Sequence, residues 1–144
     1  MGKLEAIWIK RVKRGSMDPV CQAELIEQEG IVSNADQHGR RQVTIIEEEI
    51  WKTLMAKMNS DINPSARRAN LMVSGLSLKS SRGRILNIGS CRIRINGETK
   101  PCERMDETLA GLKDIMWPDW NGGAYGEILN SGLIKIGDEV NWAG

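Results

Sequence analysis

The sequence has few of the residues from which extracellular, membrane-spanning and metal-cluster proteins are built. Its 144 residues include three cysteines, one histidine, one tyrosine and no phenylalanine. Three cysteines without a pairing pattern do not form a disulfide framework, and there is no CxxC pair for a zinc or iron–sulfur site. The N-terminus lacks the apolar centre of a signal peptide, and the longest apolar run (6–9) is far below the ~20 residues of a membrane span. We therefore expect a cytoplasmic protein with no membrane partner.

The chain is long enough to bury a core by itself. Its length predicts one domain over residues 1–144, which buries about 70% of the unfolded chain's surface without disulfides or a structural metal. The net charge of +1 gives no general attraction to nucleic acid. Arginines are nevertheless clustered, at Arg40–Arg41, Arg67–Arg68 and the group Arg82, Arg84, Arg92 and Arg94. Such clusters focus a local positive potential on an anion.

Apolar periodicity predicts a mainly β protein. Strands are predicted over 3–12, 20–28, 42–46, 67–78, 84–89 and 91–97, and residues 124–140 are predicted to form a hairpin, turning at 130–132, and a terminal strand. Cys21 and Cys91 are in phase with apolar strand faces, so both are expected in the core. In the strand over 91–97, Cys91, Ile93 and Ile95 are expected on this inner face, and the residues that alternate with them, Arg92, Arg94 and Asn96, on the outer one. Helical spacing predicts two helices, over 47–58 and behind Cys102 up to residue 116. Short strands, two helices and frequent glycines predict a closed or partly open β-barrel.

Cys102 has two interpretations on these grounds. It directly precedes the second helical segment, and a thiol at a helix N-terminus beside cations ionises readily and becomes a nucleophile or metal ligand. Alternatively, it packs as a small hydrophobe, since free cysteine is among the most buried residue types. The residue pattern alone favours the buried interpretation.

Four segments, in this order, resemble one family: DQHGRRQVTII (36–46), RRANLMVSG (67–75), GRILNIGSCRIRINGETKPCERM (83–105) and GGAYGEILNSGLIKIGDEV (122–140). The chain is similar to the MOSC domain, the module at the C-terminus of molybdenum cofactor sulfurases. It departs from the family pattern at Ala35, where glycine often precedes the aspartate matching Asp36. The sequence contains no pyridoxal-phosphate desulfurase domain, so this chain alone is not expected to extract sulfur from free cysteine.

The resemblance implies a MOSC-like barrel and a role in handling sulfur or the pterin molybdenum cofactor. It implies that Cys102 either carries sulfur as a persulfide or ligates molybdenum. Asp36 and His38 match the family's aspartate–x–histidine element, so they are expected to act with Cys102 in proton transfer or ligation. For His38, an exposed loop histidine without a role is the alternative.

Phosphate binding by the cofactor is expected at two further places. Arg68 and Asn70 match an arginine–x–asparagine element, and with Arg67 they are expected to bind the cofactor phosphate because arginine suits bidentate phosphate recognition. Gly122 and Gly123 are expected to approach the ligand closely with their backbone. The alternatives are an exposed turn for the first group and an ordinary turn for the glycines.

Three functions remain open at this point. The first is binding of the molybdenum cofactor or sulfur carriage on Cys102 for cofactor maturation. The second is a cofactor-dependent reductase of N-hydroxylated compounds, fed by a partner reductase; as an enzyme, the protein is expected to be such a reductase or a sulfur transferase. The third is a non-catalytic module that binds anions or nucleic acid.

A sulfur-donor or electron-donor protein is the expected partner, and nucleic acid is not, given the near-neutral charge and single tyrosine. The sequence does not indicate an oligomeric state.

Overall fold

A computed structural model describes residues 2–144 of the chain. In chain order the elements are β1 (Gly2–Lys10), β2 (Met17–Val20), β3 (Gln22–Ile26), β4 (Gly30–Ile31), β5 (Val43–Glu47), α1 (Glu48–Lys57), a 3₁₀ turn (Pro64–Arg67), β6 (Leu71–Ser74), β7 (Ile85–Ile88), β8 (Cys91–Glu98), α2 (Glu103–Thr108), α3 (Leu112–Met116), β9 (Ala124–Ile128), β10 (Gly132–Lys135) and β11 (Glu139–Trp142). The predicted mainly β class is confirmed.

Seven of these strands close into a barrel, in the order β11-β7-β8-β9-β5-β6-β1. Antiparallel pairing of Gly2 with Val140 joins the last strand to the first. β2 pairs with β1 as a hairpin outside this ring. β5 and β6 run parallel, and the crossover between them contains α1 and the 3₁₀ turn. The end of this crossover carries Arg67 and Arg68, so the topology places this arginine pair at one end of the barrel.

The barrel is filled by the apolar faces of its strands. In β8, Cys91, Ile93 and Ile95 are fully buried while Arg92 and Arg94 are exposed, which confirms the alternation predicted for these residues. Burying an aliphatic side chain of this kind contributes about 1.5–3 kcal/mol. Asn96 was predicted on the outer face but is buried, because a bulge between Ile95 and Gly97 shifts the alternation there.

A second, three-stranded sheet, in the order β10-β3-β4, lies beside the barrel. The hairpin predicted at 130–132 is therefore wrong: β9 pairs within the barrel, and β10 leaves it to pair with β3. The strand predicted over 20–28 corresponds to β3, with Ala23 and Leu25 buried as predicted, whereas Val20 at its start belongs to β2 of the other sheet. Cys21 lies at the break between them and is exposed, so its predicted place in the core is also wrong.

The helices pack on one another beside the barrel. The single helix predicted behind Cys102 is two helices, because Leu109 is extended (φ −156°, ψ 111°) and Gly111 is left-handed (φ 93°). The structure thus has three α-helices in place of the two predicted. Their shared apolar cluster consists of Trp51, Leu54, Met55, Met105, Leu112 and Met116. Within residues 2–144, no helix has both the length and the apolar character needed to cross a membrane.

Candidate functional site

Cys102 lies just beyond the barrel, where the chain leaves β8 and enters α2. It is the N-cap residue of α2, with extended backbone angles (φ −118°, ψ −177°), and its side chain makes no capping hydrogen bond. The thiol is exposed. The alternative in which Cys102 packs as a small core hydrophobe is therefore wrong.

Two adjoining cavities, of about 200 and 270 Å³, contain Cys102 in their walls. We call them together the Cys102 recess. Both are lined by Arg41, Arg67 and Arg68. The remaining walls are Thr44, Ala69, Thr99, Lys100 and Gly122 on one side, and Lys10, Arg14, Arg104 and Met105 on the other. The recess is thus lined by five arginines, two lysines and no carboxylate.

Arg67 is held firmly in the recess by backbone carbonyl groups. Its Nε donates to the carbonyl oxygen of Gly122 at 3.1 Å, and its Nη2 donates to that of Thr99 at 3.1 Å. Burial lowers the pKa of the Arg67 guanidinium; a Cys102 thiolate opposes this shift, and the positive charge of Arg41 adds to it. An anion at Cys102 therefore stabilises the charged form of Arg67.

Arg68 ends the 3₁₀ turn in the left-handed conformation (φ 65°). A non-glycine residue in this conformation costs on the order of 1 kcal/mol, and such strain is concentrated at functional sites. Its Nη2 donates to the carbonyl oxygen of Gly15 at 2.6 Å, which ties the loop between β1 and β2 to the recess. Burial lowers the pKa of Arg68, and the neighbouring charge of Arg104 lowers it further.

Gly122 and Gly123 allow two backbone segments to approach each other. A Cβ added at Gly122 would stand 2.2 Å from the Thr99 carbonyl oxygen, and one at Gly123 (φ 100°) would stand 2.2 Å from that of Ile45. The Gly122 carbonyl accepts hydrogen bonds from the Thr99 hydroxyl (2.6 Å) and from Arg67. The close approach that these glycines permit is thus to the protein's own backbone, and it shapes one wall of the recess.

Asn70 lies beneath the recess, and its side chain is engaged with protein groups. Its Oδ1 accepts from the amide (3.1 Å) and hydroxyl (3.2 Å) of Thr44. Its Nδ2 donates to the Trp8 carbonyl and to Asn34 Oδ1, both at 3.2 Å. These bonds join β1, β5 and the start of β6, so Asn70 supports the floor on which Arg67 and Arg68 stand. Its predicted contact with a cofactor phosphate stays a prediction.

Asp36 and His38 lie beside the Cys102 recess, in a separate depression of about 590 Å³. We call it the His38 depression. It is lined by Lys10, Lys13, Ala35, Asp36, Gln37, His38, Arg40 and Arg41, and it shares Lys10 and Arg41 with the recess. The Asp36 carboxylate pairs with Lys10 Nζ at 2.8 Å. His38 is exposed and left-handed (φ 63°). Both residues are therefore neighbours of the site, and the structure places neither in the wall around Cys102.

Five cationic residues of the recess were not predicted as site residues: Lys10, Arg14, Arg41, Lys100 and Arg104. Three of them carried a signal in the sequence. Arg41 belongs to the arginine pair that follows His38, and Lys100 and Arg104 stand two residues before and after Cys102. Lys10 and Arg14 lie at the end of β1 and in the loop that follows, and only the closed barrel brings them to Cys102.

The residues present fit an anionic cofactor that arrives with its metal already held. In residues 2–144 no group of three or more His, Cys, Asp or Glu side chains is arranged to hold a metal ion. A metal carried by a cofactor needs only one protein ligand, and the exposed Cys102 thiol is a soft ligand of the right kind. The surrounding arginines suit the phosphate of such a group. These are the features that the expected molybdenum cofactor requires.

Comparison with known proteins agrees with this geometry. Among solved structures, the fold is similar to YuaD from Bacillus subtilis, with a TM-score of 0.76, 20% identity, and 97% of this chain and 94% of that one covered. It is also similar to YiiM from Geobacillus stearothermophilus (TM-score 0.79, 15% identity, 100% and 76% covered) and to YiiM from Escherichia coli (0.74, 14%, 99% and 70%). At these identities the likeness shows a shared fold alone.

A search of curated proteins finds no match. The sequence model of the MOSC domain family matches residues 27–141, which is most of the chain. The matched region contains Cys102 with Arg41, Arg67, Arg68 and Arg104. The segments that resemble the family thus supply most of the recess, apart from Lys10 and Arg14. Because the family model matches most of its residues, the chain belongs to the MOSC domain family.

Proposed function

We propose that this protein handles sulfur or the molybdenum cofactor through Cys102. One observation carries the proposal: an exposed thiol without an internal capping bond stands in a recess lined by five arginines, two lysines and no carboxylate. Such a recess focuses a positive potential on an anionic group held there, whether a persulfide or a cofactor phosphate. Membership of the MOSC family supports the same chemistry.

As a sulfur carrier, Cys102 takes sulfur by exchange. Its thiolate attacks the terminal sulfur of a donor persulfide, the sulfur–sulfur bond of the donor breaks, and the donor leaves as a thiolate. The transferred sulfur is then a persulfide on Cys102, and no outside oxidant or reductant is consumed. Arg67 and Arg41 stand where they stabilise the anionic persulfide. Release to an acceptor is the same exchange in reverse.

As a cofactor-binding protein, the chain uses the same groups differently. Cys102 is the proposed protein ligand, while Arg67, Arg68 and Arg41 bind the phosphate with the Gly122 wall beside them. When bound, the molybdenum cofactor would supply two-electron redox chemistry. The three free thiols agree with the reducing, cytoplasmic location expected from the sequence, which stays part of this proposal.

Labelled sulfur and cofactor content together test this function. Protein from a host that makes the cofactor is assayed for molybdenum and pterin, and apoprotein is exposed to a sulfur-labelled small-molecule persulfide. We expect at least one signal, lost in Cys102→Ser and kept in Cys21→Ser, whose thiol is exposed but lies outside the recess. Protein that binds neither molybdenum nor labelled sulfur contradicts the proposal, as does a signal that survives Cys102→Ser.

The His38 depression favours a second candidate, the reductase of N-hydroxylated compounds. It opens next to the recess, with about 590 Å³ for a substrate beside a group held on Cys102, and it carries Asp36 and His38 as proton donors or acceptors. A partner must supply the electrons. Cofactor-loaded protein is expected to reduce an N-hydroxylated base with an artificial electron donor, and His38→Asn is expected to slow turnover. Absence of turnover by loaded protein contradicts this candidate and leaves sulfur carriage standing.

A further inference from the structure

The loop between β1 and β2, residues 11–16, stands over the Cys102 recess. The Gly15 amide donates to the Val12 carbonyl at 2.9 Å, forming a turn, and Arg68 fixes the loop through the Gly15 carbonyl at 2.6 Å. Arg14 is left-handed (φ 61°) and lines the same cavity as Cys102. Val12 is 64% exposed, an apolar side chain next to Lys13 and Arg14. The loop is thus a fixed, cationic part of the site's entrance.

Five exposed cations line the recess or the adjoining His38 depression, and we call them the basic rim: Lys13, Arg14, Arg40, Arg41 and Arg104. In residues 2–144, none of them has a carboxylate within 4.0 Å. Two of the acids near this surface are already engaged, since Asp36 pairs with Lys10 and Glu103 pairs with Lys113. Charges of one sign held together without partners repel one another, which destabilises the free protein.

The concentration of charge contrasts with the whole molecule. The recess and the His38 depression together are lined by nine lysines and arginines against one carboxylate, Asp36, while the net charge of the chain is +1. The nine come from segments far apart in sequence, 10–14, 40–41, 67–68 and 100–104. This area is wider than one small anion at Cys102 needs.

We propose that the basic rim is the docking surface for an acidic protein that exchanges sulfur or electrons with Cys102. This inference rests on the proposed function, because it names the partner of the same site. Complementary charge accelerates the encounter of two proteins and aligns them. Among the described residues 2–144, no aromatic side chain lines the three cavities, whereas single-stranded nucleic acid is bound by stacking on aromatic residues.

The test measures the rate at which Cys102 captures an acidic peptide. Two short peptides carry the same pyridyl disulfide, one rich in glutamate and the other with glutamine in its place. The Cys102 thiolate attacks the disulfide, the peptide becomes joined to Cys102, and pyridine-2-thiolate leaves and is measured by its absorbance. The protein carries Cys21→Ser so that Cys102 is the exposed thiol that reacts.

We expect the glutamate peptide to react about 10-fold faster or more at low salt, with the ratio falling towards one near 1 M salt. Lys13→Glu, Arg14→Glu and Arg40→Glu combined should reverse the preference. The matched control combines Lys57→Glu, Arg92→Glu and Lys135→Glu, which change the net charge by the same amount at exposed cations outside the rim. This control should keep most of the preference for the glutamate peptide. Equal rates for the two peptides overturn the inference, as does an equal loss in both triple variants.

Two competitors separate the other sources of negative charge. If inorganic phosphate removes the preference where sodium chloride of equal ionic strength does not, the rim is a small-anion site and the inference is overturned. If a single-stranded oligonucleotide slows the reaction of Cys102 at a concentration below that at which the glutamate peptide reacts, the surface binds nucleic acid and the inference is also overturned. Weak competition by both phosphate and the oligonucleotide supports the inference. Because this assay reads thiol reactivity alone, it can succeed or fail independently of sulfur and cofactor loading.

Discussion

Cys102 and Cys91 place the same thiol in two opposite environments. Cys91 is completely buried in the barrel, where burial raises the pKa of its thiol, the charge of Asp138 raises it further, and a hydrogen bond with Ser90 acts the other way. Cys102 is exposed in a recess lined by arginines. The two regions also hold together differently. The barrel depends on apolar packing, whereas the recess depends on Arg67 and two glycines that bring carbonyl groups to it.

The difference teaches how a small barrel carries a reactive group. The interior excludes water and makes its cysteine unreactive, so chemistry must be placed where the strands end. There the crossover between β5 and β6, the exit of β8 and the β1–β2 loop meet. Charges that the interior would not tolerate stand at this end, and the barrel below them keeps their positions fixed.

The largest expected effect is on thiol reactivity in the native protein. A small neutral alkylating reagent should modify Cys102 about 1,000-fold faster than Cys91 or more, because Cys91 reacts only when the barrel opens. Mass spectrometry of peptides after timed quenching measures both rates. Comparable rates would mean that the barrel opens far more readily than its packing indicates.

The next effect tests the recess wall. Gly122→Ala and Gly123→Ala should each lower the free energy of unfolding by about 3 kcal/mol, because each added methyl meets a carbonyl oxygen. Gly39→Ala is the matched control: its φ is also positive (71°), but no atom lies within 4 Å of the added Cβ, and the expected cost is about 1 kcal/mol. Urea unfolding measures all three. Equal costs at the three positions would contradict the close packing of this wall.

Cysteine-to-serine changes compare the two regions directly. Cys91→Ser should lower the free energy of unfolding by about 2 kcal/mol, because a hydroxyl replaces a thiol in the apolar interior. Cys102→Ser should not lower it by more than about 0.5 kcal/mol, since the side chain is exposed and makes no capping bond that the change would remove. A large loss of stability in Cys102→Ser would show that the thiol has a structural role that the geometry does not reveal.

Arg67 should matter more than Arg68 for stability. Arg67→Lys should cost about 2 kcal/mol, because lysine cannot bond to the Gly122 and Thr99 carbonyls in the forked geometry of a guanidinium. Arg68→Lys should cost about 1 kcal/mol, since Arg68 makes one such bond, to Gly15. The same unfolding assay compares them, and a larger loss in Arg68→Lys would reverse this ranking.

The smallest expected effect is the pH dependence of stability that Glu47 contributes at the end of β5. Burial raises the pKa of Glu47 above its ordinary 4.5, a hydrogen bond from the Leu78 amide opposes this, and the charge of Glu49 adds to it. The stability that Glu47 contributes is therefore complete below pH 4.5 and is lost as pH rises through its folded-state pKa. Glu47→Gln keeps an acceptor for Leu78 and removes the charge. Its unfolding free energy relative to the wild type should rise from pH 4 to pH 7, and no rise would contradict the shift.

Where apolar alternation governs, the sequence was sufficient to predict structure. It predicted β5, β7 and β8, the barrel class, and Cys91 in the core. It was wrong at Cys21 and Asn96, because a change of sheet and a bulge interrupt the alternation, and periodicity does not record either event. The split of the helix behind Cys102 depends on the backbone at Leu109 and Gly111, within a pattern that stays helical throughout.

The site was predictable to a smaller extent. Periodicity favoured a buried Cys102, and it was the family resemblance that selected this cysteine. Arg67 and Arg68 were selected in the same way, and both line the recess. Lys10 and Arg14 carried no signal, since their position depends on long-range closure of the barrel. Sequence patterns report local neighbours, whereas this recess is built from segments as far apart in sequence as Lys10 and Gly122.

The pairing that closes the barrel also governs how the protein folds. Gly2 meets Val140 and Lys3 meets Glu139, so the ring is completed only by contacts that span nearly the full described chain. Contacts of such high sequence separation slow the search for the native state, and barrels of this kind fold in about milliseconds to seconds. During synthesis, β1 has to wait for β11 to emerge from the ribosome. Until then the half-made barrel has an open strand edge, which the final strand removes.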